Sequence, residues 1–481
     1  MAMVTIHNFK LNQIGEAEFE LEKDYKGATL RFFAEEKLLT NLEEEVFLQA
    51  RNVAQLPGLV GPVLIMPDAH SGYGAPIGTV FAMGEEEGYV SPGAVGYDIN
   101  CGMRLITTNL FYNEIKNQIE KLINLLFESV PAGVGRKGFL KVSRVELKKL
   151  VEEGVSYLIK AKGIGWIKDL GRIEEQGRIS GADFSYVSQE AIERGLSQLA
   201  TLGSGNHYLE IQKVEKIFDQ ETAEKLGIKQ INQIVVMVHC GSRGFGHQIC
   251  TDYLRTFEKH LTEFKLVLND RQLVCAPIHS RFAGHYLSAM AAAANFAFIN
   301  REAITHQIRG AFEKVTGMSA EELEMDLVYD VSHNIAKFEE HIIPNDLYKN
   351  NTRPKKRNVL VHRKGATRSY PNQPVIIGGS METGSYILVG QKTAMEKSFG
   401  STAHGSGRTM SRTKAKRIVH GQKLWEKMRR EGIFIKSASW AGLAEEAGIA
   451  YKDISKVVGS VSSAGLSKPV AYFKPVGNIK G

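Results

Sequence analysis

The alternation of apolar and polar residues along the chain predicts a mixture of helices and strands. Apolar residues recur at helical spacing over residues 113–130, which predicts an amphipathic helix that ends before Pro131. Short aliphatic runs predict buried strands elsewhere, and Val63–Met66 is one of them. This strand leads into a predicted loop that holds Asp68 and His70.

Two further predicted strands each end at a histidine. The β-branched run Ile234–Val238 is followed by His239 and a glycine turn, and the segment MDLVYDVSHN places His333 after another strand. Functional sites are commonly built at the ends of strands. Because helices and strands are intermixed without a regular βαβ repeat, the sequence predicts an α+β fold of mixed sheets with surrounding helices.

Composition limits the class of protein. A chain of 481 residues with 43% apolar residues has enough material for a buried core. The amino terminus has no basic region followed by an apolar one, and the apolar stretch Ala289–Ile299 is too short to cross a bilayer. The four cysteines show neither disulfide nor CxxC spacing, so we expect a reduced, cytoplasmic protein that does not associate with membranes.

Positive charge favours a polyanionic partner. The formal net charge is +7, and Arg408, Arg412 and Lys416 recur at intervals of four, which predicts three cations on one helix face. A second basic run extends over Arg353–Arg368. The first run is either a track for a nucleic-acid backbone or an ordinary solvated helix face. The second run either extends that track or is a surface loop.

The segment SPGAVGYDINCG holds a candidate pair of metal ligands. Asp98 and Cys101 lie three residues apart between Gly96 and Gly102, in a turn-like setting that could direct a carboxylate and a thiolate at one cation. A thiolate can also bridge two metal ions. The alternative is an Asx-type turn with a buried cysteine.

Three histidine motifs strengthen the metal interpretation. In LGSGNHYLE, glycines precede Asn206 and His207, so the backbone could approach a phosphate while the imidazole binds a cation. His239 precedes GSRG, whose Arg243 could hold a phosphate oxygen, and His333 precedes an asparagine amide. Taken singly, each histidine has a structural interpretation as well.

The segment FGSTAHGSGRTMSR suggests phosphoryl chemistry. Gly405–Gly407 form a predicted turn leading into a helix, where backbone amides could hold a phosphate beside His404. A neutral imidazole can attack phosphorus near pH 7. Because the candidate residues span positions 98 to 404, most of the chain must close around them, which predicts one catalytic domain over residues 1–481.

Six strings resemble one known family. SPGAVGYDINCG, LGSGNH, VHCGSRG, YDVSHN, HRKGATR and HGSGR occur in the order found in the RtcB family of RNA ligases, and the resemblance covers nearly the whole chain. It implies a GTP-dependent ligase that joins RNA 3′-phosphate or 2′,3′-cyclic phosphate ends to 5′-hydroxyl ends in tRNA splicing and RNA repair. It also implies two Mn²⁺ ions, RNA as partner and archease as a possible further partner. We expect the protein to be a monomer.

The resemblance assigns a role to each matching residue. The bridging thiolate falls on Cys101, with Asp98 and His207 completing one metal site and His239 and His333 the other. His404 falls on the histidine that becomes guanylylated. The implied GTP contacts are Asn206, His207, Tyr208, Leu209, Glu210, His333, Asn334, Gly378, Gly379, Ser380, Met381, Ser385, His404, Gly405, Ser406, Gly407 and Lys480. The implied RNA contacts are Arg194, Arg243, Arg408 and Arg412.

Two other classes of protein fit part of the pattern. A zinc-dependent phosphoesterase would use the same ligands to activate water, and ligand chemistry alone suggests zinc as readily as manganese. An RNA-binding protein with a structural metal would show no turnover. The chain lacks the phosphate-binding loop of common nucleotide hydrolases, so both GTP and manganese rest on the resemblance. Ala403 stands where some relatives have cysteine.

Overall fold

The computed structural model, which describes residues 3–343 and 355–481, is built around two eight-stranded sheets. The described strands are β1 (Met3–Ile6), β2 (Phe9–Gly15), β3 (Glu18–Leu21), β4 (Leu30–Phe33), β5 (Leu59–His70), β6 (Ile77–Gly84), β7 (Tyr89–Val90), β8 (Gly102–Phe111), β9 (Tyr208–Ile217), β10 (Gln233–Cys240), β11 (Ala276–Pro277), β12 (Leu327–Ser332), β13 (Asn334–Ile343), β14 (Lys355–Lys364), β15 (Ala366–Arg368), β16 (Pro374–Gly378), β17 (Ser385–Gly390), β18 (Ser401–Ala403), β19 (Phe434–Ser437) and β20 (Ser467–Lys480).

Helices fill the connections between the strands. The described α-helices are α1 (Glu36–Leu39), α2 (Glu44–Ala54), α3 (Tyr112–Ile115), α4 (Ile119–Ser129), α5 (Arg144–Glu153), α6 (Val155–Lys162), α7 (Gln189–Gln198), α8 (Gln220–Lys225), α9 (Arg243–Lys259), α10 (Arg281–Thr316), α11 (Lys392–Lys397), α12 (Arg412–Ile418), α13 (Gly421–Arg430), α14 (Trp440–Glu445) and α15 (Ile454–Ser463). The mixture of helices and sheets confirms the predicted α+β class.

Both sheets are predominantly antiparallel. The first has the order β1-β2-β3-β4-β5-β6-β14-β13, with a parallel pairing between β4 and β5. The second has the order β12-β8-β10-β9-β20-β17-β16, and β19 lies parallel to β20. The strands β8 and β10 at its centre are buried almost throughout, as expected for strands covered on both faces.

The long helix α10 lies in the core. It has 36 residues and a mean hydropathy of 1.2 in its most apolar stretch, so its length and composition would allow it to cross a membrane. However, 72% of that stretch is buried inside the protein, where its small side chains let neighbouring elements approach closely. The predicted apolar stretch Ala289–Ile299 forms its middle.

Two predicted elements differ from the structure. The helix predicted over residues 113–130 is divided into α3 and α4 by a 3₁₀ turn at Lys116–Gln118. The loop predicted for Asp68 and His70 is wrong because β5 continues through both residues, with His70 opposite Ile77 of β6. Pairing with the neighbouring strand thus extends β5 beyond the aliphatic run that predicted it.

The basic segments also take other forms. Strands β14 and β15 occupy residues 355–368, so a surface loop is wrong there, while Arg353 lies outside the described residues. Within these strands Arg363 is buried and donates to Glu339 at 2.8 Å. Arg408 precedes α12 and pairs with Tyr451 as a β-bridge, so it does not share a helix face with Arg412.

Candidate active site

Four neighbouring strands bring the candidate metal ligands to one edge of the second sheet. Cys101 immediately precedes β8 and His207 immediately precedes β9. The antiparallel strands β10 and β12 end at the same edge, with His239 opposite Met103 and Tyr208, and with His333 directly after β12. Residues separated by more than 200 positions therefore meet because alternate strands begin and end together.

The ligand atoms converge around the Cys101 sulfur. Its Sγ lies 3.3 Å from His207 Nε2 and 3.2 Å from His239 Nε2. His239 Nε2 lies 3.2 Å from His333 Nε2, and His207 Nε2 lies 2.8 Å from the Asp98 carboxylate. These atoms form two groups that could each hold a metal ion, and Cys101 belongs to both.

Backbone hydrogen bonds fix the turn that carries Asp98 and Cys101. The Asn334 side chain donates to Asp98 O at 3.0 Å, and the backbone N–H of His333 donates to Cys101 O at 2.9 Å. Asn100, between the two ligands, has a φ of 53°, a left-handed conformation that asparagine adopts more readily than most residues. The turn predicted from the sequence therefore holds both ligands against the end of β12.

The surroundings keep His239 and His333 neutral and the Asp98 carboxylate charged. Burial, reinforced by the neighbouring histidines, lowers the pKa of both His239 and His333 well below the ordinary value. Burial alone would raise the pKa of Asp98, but the contact with His207 and the Arg243 charge lower it instead. Neutral imidazole and ionised carboxylate are the forms that bind metal ions.

A buried ion-pair network supports this edge from behind. Arg301 of α10 donates to the carbonyl oxygens of Asn100 at 2.9 Å and Cys240 at 2.8 Å, residues adjacent to two of the ligands. It also pairs with Asp330 at 2.8 Å, which accepts a hydrogen bond from Arg104 at 2.8 Å. Helix α10 is thereby tied to the strands that hold the candidate metal ligands.

His404 lies beside this cluster with its orientation set by Asp68. The His404 and His333 rings are 4.7 Å apart, and His404 Nδ1 lies 2.7 Å from Asp68 Oδ2. The backbone N–H groups of His404 and Gly405 donate to the same oxygen at 3.2 Å and 3.1 Å. Burial would raise the pKa of Asp68, but His404 and these donors lower it. With Nδ1 held by the carboxylate, Nε2 is the nitrogen left for chemistry.

These groups line a cavity of ≈ 540 Å³. Gly405–Gly407 form one wall, where the backbone N–H of Ser406 donates to Gly378 O at 2.9 Å. Gly407 has a φ of 71°, and a Cβ there would lie 2.0 Å from Asp68 O, so the close approach to β5 requires glycine. Predicted nucleotide-binding residues that also line the cavity are Asn206, Tyr208, His333, Asn334, Gly378, Gly379, Ser380, His404, Gly405, Ser406, Gly407 and Lys480.

Comparison with known proteins identifies the family. The family model described as "tRNA-splicing ligase RtcB" matches residues 49–481. A tRNA-splicing ligase RtcB of Nanoarchaeum equitans is 47% identical over 98% of this chain and 100% of its own length. One of Archaeoglobus fulgidus is 47% identical over 98% of this chain and 99% of its own.

The chain belongs to the RtcB family. A third relative, from Thermococcus kodakarensis, is 44% identical over 98% of this chain and 99% of its own length, and it has the same description. The family resemblance inferred from the six sequence strings is thereby confirmed, and the chain is an RNA ligase. The cluster around Cys101 gives this RtcB chain a place where a metal ion could bind.

Other predicted nucleotide contacts lie outside the cavity wall. Leu209 and Met381 pack into hydrophobic clusters, so their side chains are not available to a ligand in the cavity. The Gln212 amide donates to Glu210 at 2.6 Å and to Ser385 at 3.3 Å. Burial raises the pKa of Glu210 to about 7, in opposition to the positive charge of Lys480.

Lys480 is placed by the last strand. It stands opposite Tyr208 in the pairing of β20 with β9, and its ammonium lies 5.2 Å from the Tyr208 ring centre. The Glu446 carboxylate is 3.7 Å away. Burial lowers the pKa of Lys480, while Glu446 and Glu210 counteract that effect. The predicted GTP contact therefore faces the cavity among acidic and aromatic neighbours.

The four predicted RNA contacts lie in three places. Arg408 and Arg412 line the cavity and lie 3.3 Å and 3.4 Å from the Glu446 carboxylate. Arg243 begins α9, and its guanidinium is 3.4 Å from His207 Nδ1. Arg194 is exposed on α7, where it pairs with Glu190 at 2.6 Å.

Sequence reasoning missed several residues of the site. It gave Asp68 no role, although the string MPDAH ends a strand beside histidines. Glu446, Tyr451 and Lys364 also line the cavity; Lys364 stands in the string HRKGATR but received no role, and the other two stand in none of the six strings. Lys364 is buried, which lowers its pKa to about 7, and it donates to Gly93 O at 2.8 Å. Only the tertiary structure brings these residues to the site.

Proposed function

We propose that this RtcB chain is a GTP- and Mn²⁺-dependent ligase that joins RNA 3′-phosphate or 2′,3′-cyclic phosphate ends to 5′-hydroxyl ends. The observation that carries the proposal is the position of His404, held by Asp68 directly beside the thiolate-linked metal-ligand groups. The family supplies the expectation of GTP, manganese and a guanylylated histidine. The polyanion-binding arginines support RNA as the substrate.

The donor set fits two divalent cations. One thiolate, one carboxylate and three imidazoles are provided, and the shared sulfur suits two ions held side by side. Asp98, Cys101 and His207 would hold one ion, and Cys101, His239 and His333 the other. Such ions neutralise charge on phosphate oxygens when bound.

The residues of the chain account for three successive transfers. His404 Nε2 attacks the α-phosphorus of GTP, and the bond to the departing pyrophosphate breaks as the phosphoramidate forms. An oxygen of the RNA 3′-phosphate then displaces His404 and takes up GMP. The 5′-hydroxyl finally attacks the activated 3′-phosphate, loses its proton and releases GMP. A cyclic phosphate end is first opened by water.

Asp68 and the glycine turn organise the first step. The carboxylate holds Nδ1 and so aims Nε2, and its negative charge stabilises the imidazolium character that develops on attack. Gly405–Gly407 allow phosphate groups to approach the backbone, and Lys480 and Tyr208 offer a charged and an aromatic contact to the base. The predicted roles of Asn206, Asn334 and Ser380 as GTP contacts belong to the same proposal.

We further propose that residues 1–481 act as one catalytic domain, as a monomer in the cytoplasm, with tRNA halves or broken RNA as substrates and archease as a possible partner. One hydrophobic cluster that extends from Ile6 to Ile479 supports the single domain.

Covalent labelling tests the proposal. Incubation with Mn²⁺ and GTP labelled at the α-phosphate should leave an acid-labile label on the wild type and none on His404→Ala, while the exposed control His306→Ala stays labelled. Wild-type enzyme should then join a 3′-phosphate RNA to a 5′-hydroxyl RNA. Release of inorganic phosphate without joining would indicate a phosphoesterase, and RNA binding without turnover would indicate a binding protein.

A further inference from the structure

A second cavity of ≈ 430 Å³ lies outside the active site. We refer to it as the tryptophan cleft, because two of the three tryptophans of the chain, Trp425 and Trp440, line it. Asn124 and Glu120 of α4, Phe434 and Lys436 of β19 and Arg429 of α13 also line it, and Glu120 pairs with Arg429 at 2.9 Å. Neither the metal ligands nor the proposed GTP contacts belong to this cleft.

The aromatic rings form a fixed wall with one exposed face. Trp425 Nε1 donates to Ile435 O at 3.2 Å, and the Arg429 guanidinium lies 5.2 Å from the Trp425 ring centre. Trp440 stands nearly perpendicular to Trp425, with ring centres 6.1 Å apart, and is 55% exposed. The exposed face of the Trp440 indole is of the kind on which nucleobases stack.

A polar group in the cleft lacks a partner. Asn124 Oδ1 is buried and has no hydrogen-bond partner among the described residues. A buried acceptor without a partner is unfavourable unless a ligand satisfies it. Asn124 is only partly buried, so a change of its rotamer could present this oxygen to an amino or imino group of a nucleobase in the cleft, which an aliphatic ligand does not offer.

The helices around the cleft concentrate positive charge. Residues 412–430 contain eight lysines and arginines and one glutamate, so this segment has a net charge of +7, the same as the formal net charge of the entire chain. Among the cations near the cleft, Lys423 and Lys436 are exposed and have no ion-pair partner in the described parts of the chain. A polyanionic strand would supply the missing countercharge.

The cleft adjoins the active site. Ser437 of β19 stands opposite Lys480, and the backbone N–H of Ala438 donates to Lys480 O at 3.1 Å. Trp440 begins α14, and Glu446, which follows that helix, lines the active-site cavity. A helix of six residues is about 9 Å long. A strand whose end is in the active site could therefore reach Trp440 with a nearby base.

We propose that the tryptophan cleft binds a base of single-stranded RNA a short distance from the end being joined, with Trp440 as the stacking platform. The proposal rests on the function as an RNA ligase and adds a substrate contact beyond the reacting end. Phosphates of the same strand would lie along the basic surface of α12 and α13. RNA explains the exposed indole, the unpartnered amide and the positive charge together, whereas a membrane surface would leave the amide unexplained.

RNA affinity measured without GTP tests the proposal. Intrinsic tryptophan fluorescence would be titrated with oligoribonucleotides of increasing length, one series ending in a 3′-phosphate and one beginning with a 5′-hydroxyl. Trp440→Ala should weaken binding roughly tenfold for strands long enough to reach the cleft and leave dinucleotides unaffected. Trp440→Phe should retain most of the affinity because a phenyl ring still stacks. The oligonucleotide series for which Trp440→Ala lowers the affinity identifies the RNA strand that occupies the cleft.

Controls separate this proposal from the proposed function. Phe218→Ala removes an exposed aromatic ring at the far end of β9 and should not change RNA affinity. Labelling of His404 by GTP needs no RNA and should be unchanged in Trp440→Ala. If the wild type itself were not labelled, the result would contradict the proposed function and not the cleft proposal. Equal affinity of wild type and Trp440→Ala for every strand would overturn the cleft proposal. The proposal would also be overturned if Trp440→Ala reduced binding to phosphatidylserine vesicles and left binding to every RNA strand unchanged.

Discussion

At the scale of single residues, the sulfur of Cys101 is the most consequential atom of the metal-ligand cluster. It is the one ligand that belongs to both groups, so its contribution cannot be assigned to either alone. Burial lowers the pKa of His239 and His333, which keeps these two imidazoles neutral, and it raises the pKa of the Cys101 thiol. A bound cation would therefore displace the thiol proton before the sulfur adds its negative charge to that of Asp98. Loss of one side chain should therefore affect two ions.

Cys101→Ala tests this shared role. We expect it to weaken metal binding at both candidate sites, with affinity reduced by at least about tenfold, since even residues behind metal ligands contribute that much. Equilibrium dialysis followed by elemental analysis would measure the bound metal directly, without reference to ligation. Cys275→Ala, a buried cysteine outside the site, is the matched control. Retention of one ion per chain by Cys101→Ala would contradict the bridging role.

Asp68→Asn tests how His404 is oriented. The carboxylate contacts Nδ1 at 2.7 Å, and an amide would not provide its negative charge. We expect the rate of His404 labelling by GTP to fall roughly 100-fold and to depend differently on pH, with metal content unchanged. Single-turnover labelling over a pH series would measure this. Asp326→Asn, a half-exposed carboxylate elsewhere, should behave as wild type, and an equal rate in both variants would refute the role of Asp68.

At the scale of elements, the conformation of the turn after β18 is constrained by its close approach to β5. Gly407 packs so closely on Asp68 that a side chain cannot enter without displacing the wall that holds His404. The turn also bonds to Gly378, so the glycine wall of the cavity and the orientation of His404 depend on the same contact. A local substitution here should affect stability and chemistry together.

Gly407→Ala should destabilise the protein by more than about 2 kcal/mol and weaken GTP binding, because it adds a backbone clash to left-handed strain. Gly432→Ala is the control, since Gly432 has a φ of 81° with nothing within 4 Å of an added Cβ. The control should lose only about 1 kcal/mol of unfolding free energy, because it adds the left-handed strain without the clash. Denaturant unfolding of both variants would give the difference, and equal losses would show that the close approach is unimportant.

At the scale of the whole molecule, α10 joins the core to the metal-ligand edge. Arg301 and Arg104 form a fully buried network with Asp330, and Arg301 reaches the backbone beside Cys101 and His239. Removing one member of a buried ion pair leaves an uncompensated charge. The network should therefore influence both the stability of the fold and the position of the ligands.

Arg301→Met should cost about 3–5 kcal/mol of unfolding free energy and reduce metal affinity at the same time. The comparison is Lys168→Met, which breaks the half-exposed Lys168–Asp326 pair and should cost at most about 1 kcal/mol. Chemical unfolding and metal titration would measure the two effects. A large loss of stability with unchanged metal affinity would limit Arg301 to a structural role.

Much of the site was predictable from local strings. Asp98, Cys101, His207, His239 and His333 were predicted as one metal-binding set, and they do converge, because glycine turns and strand ends leave recognisable local signals. The family was predictable as well, since its six strings lie in order along the chain. Strand ends at His239 and His333 followed from β-branched runs that precede them.

What the sequence determined by itself was therefore the family, the fold class and the set of candidate metal ligands that the fold brings together. Tertiary structure alone decided which oxygen holds His404, where Arg408 points, and that Trp425 and Trp440 share a cleft beside the active site. The physical reason is that turns and strands are encoded by neighbours in sequence, whereas ion pairs, buried charges and clefts depend on residues hundreds of positions apart that meet when the sheets form.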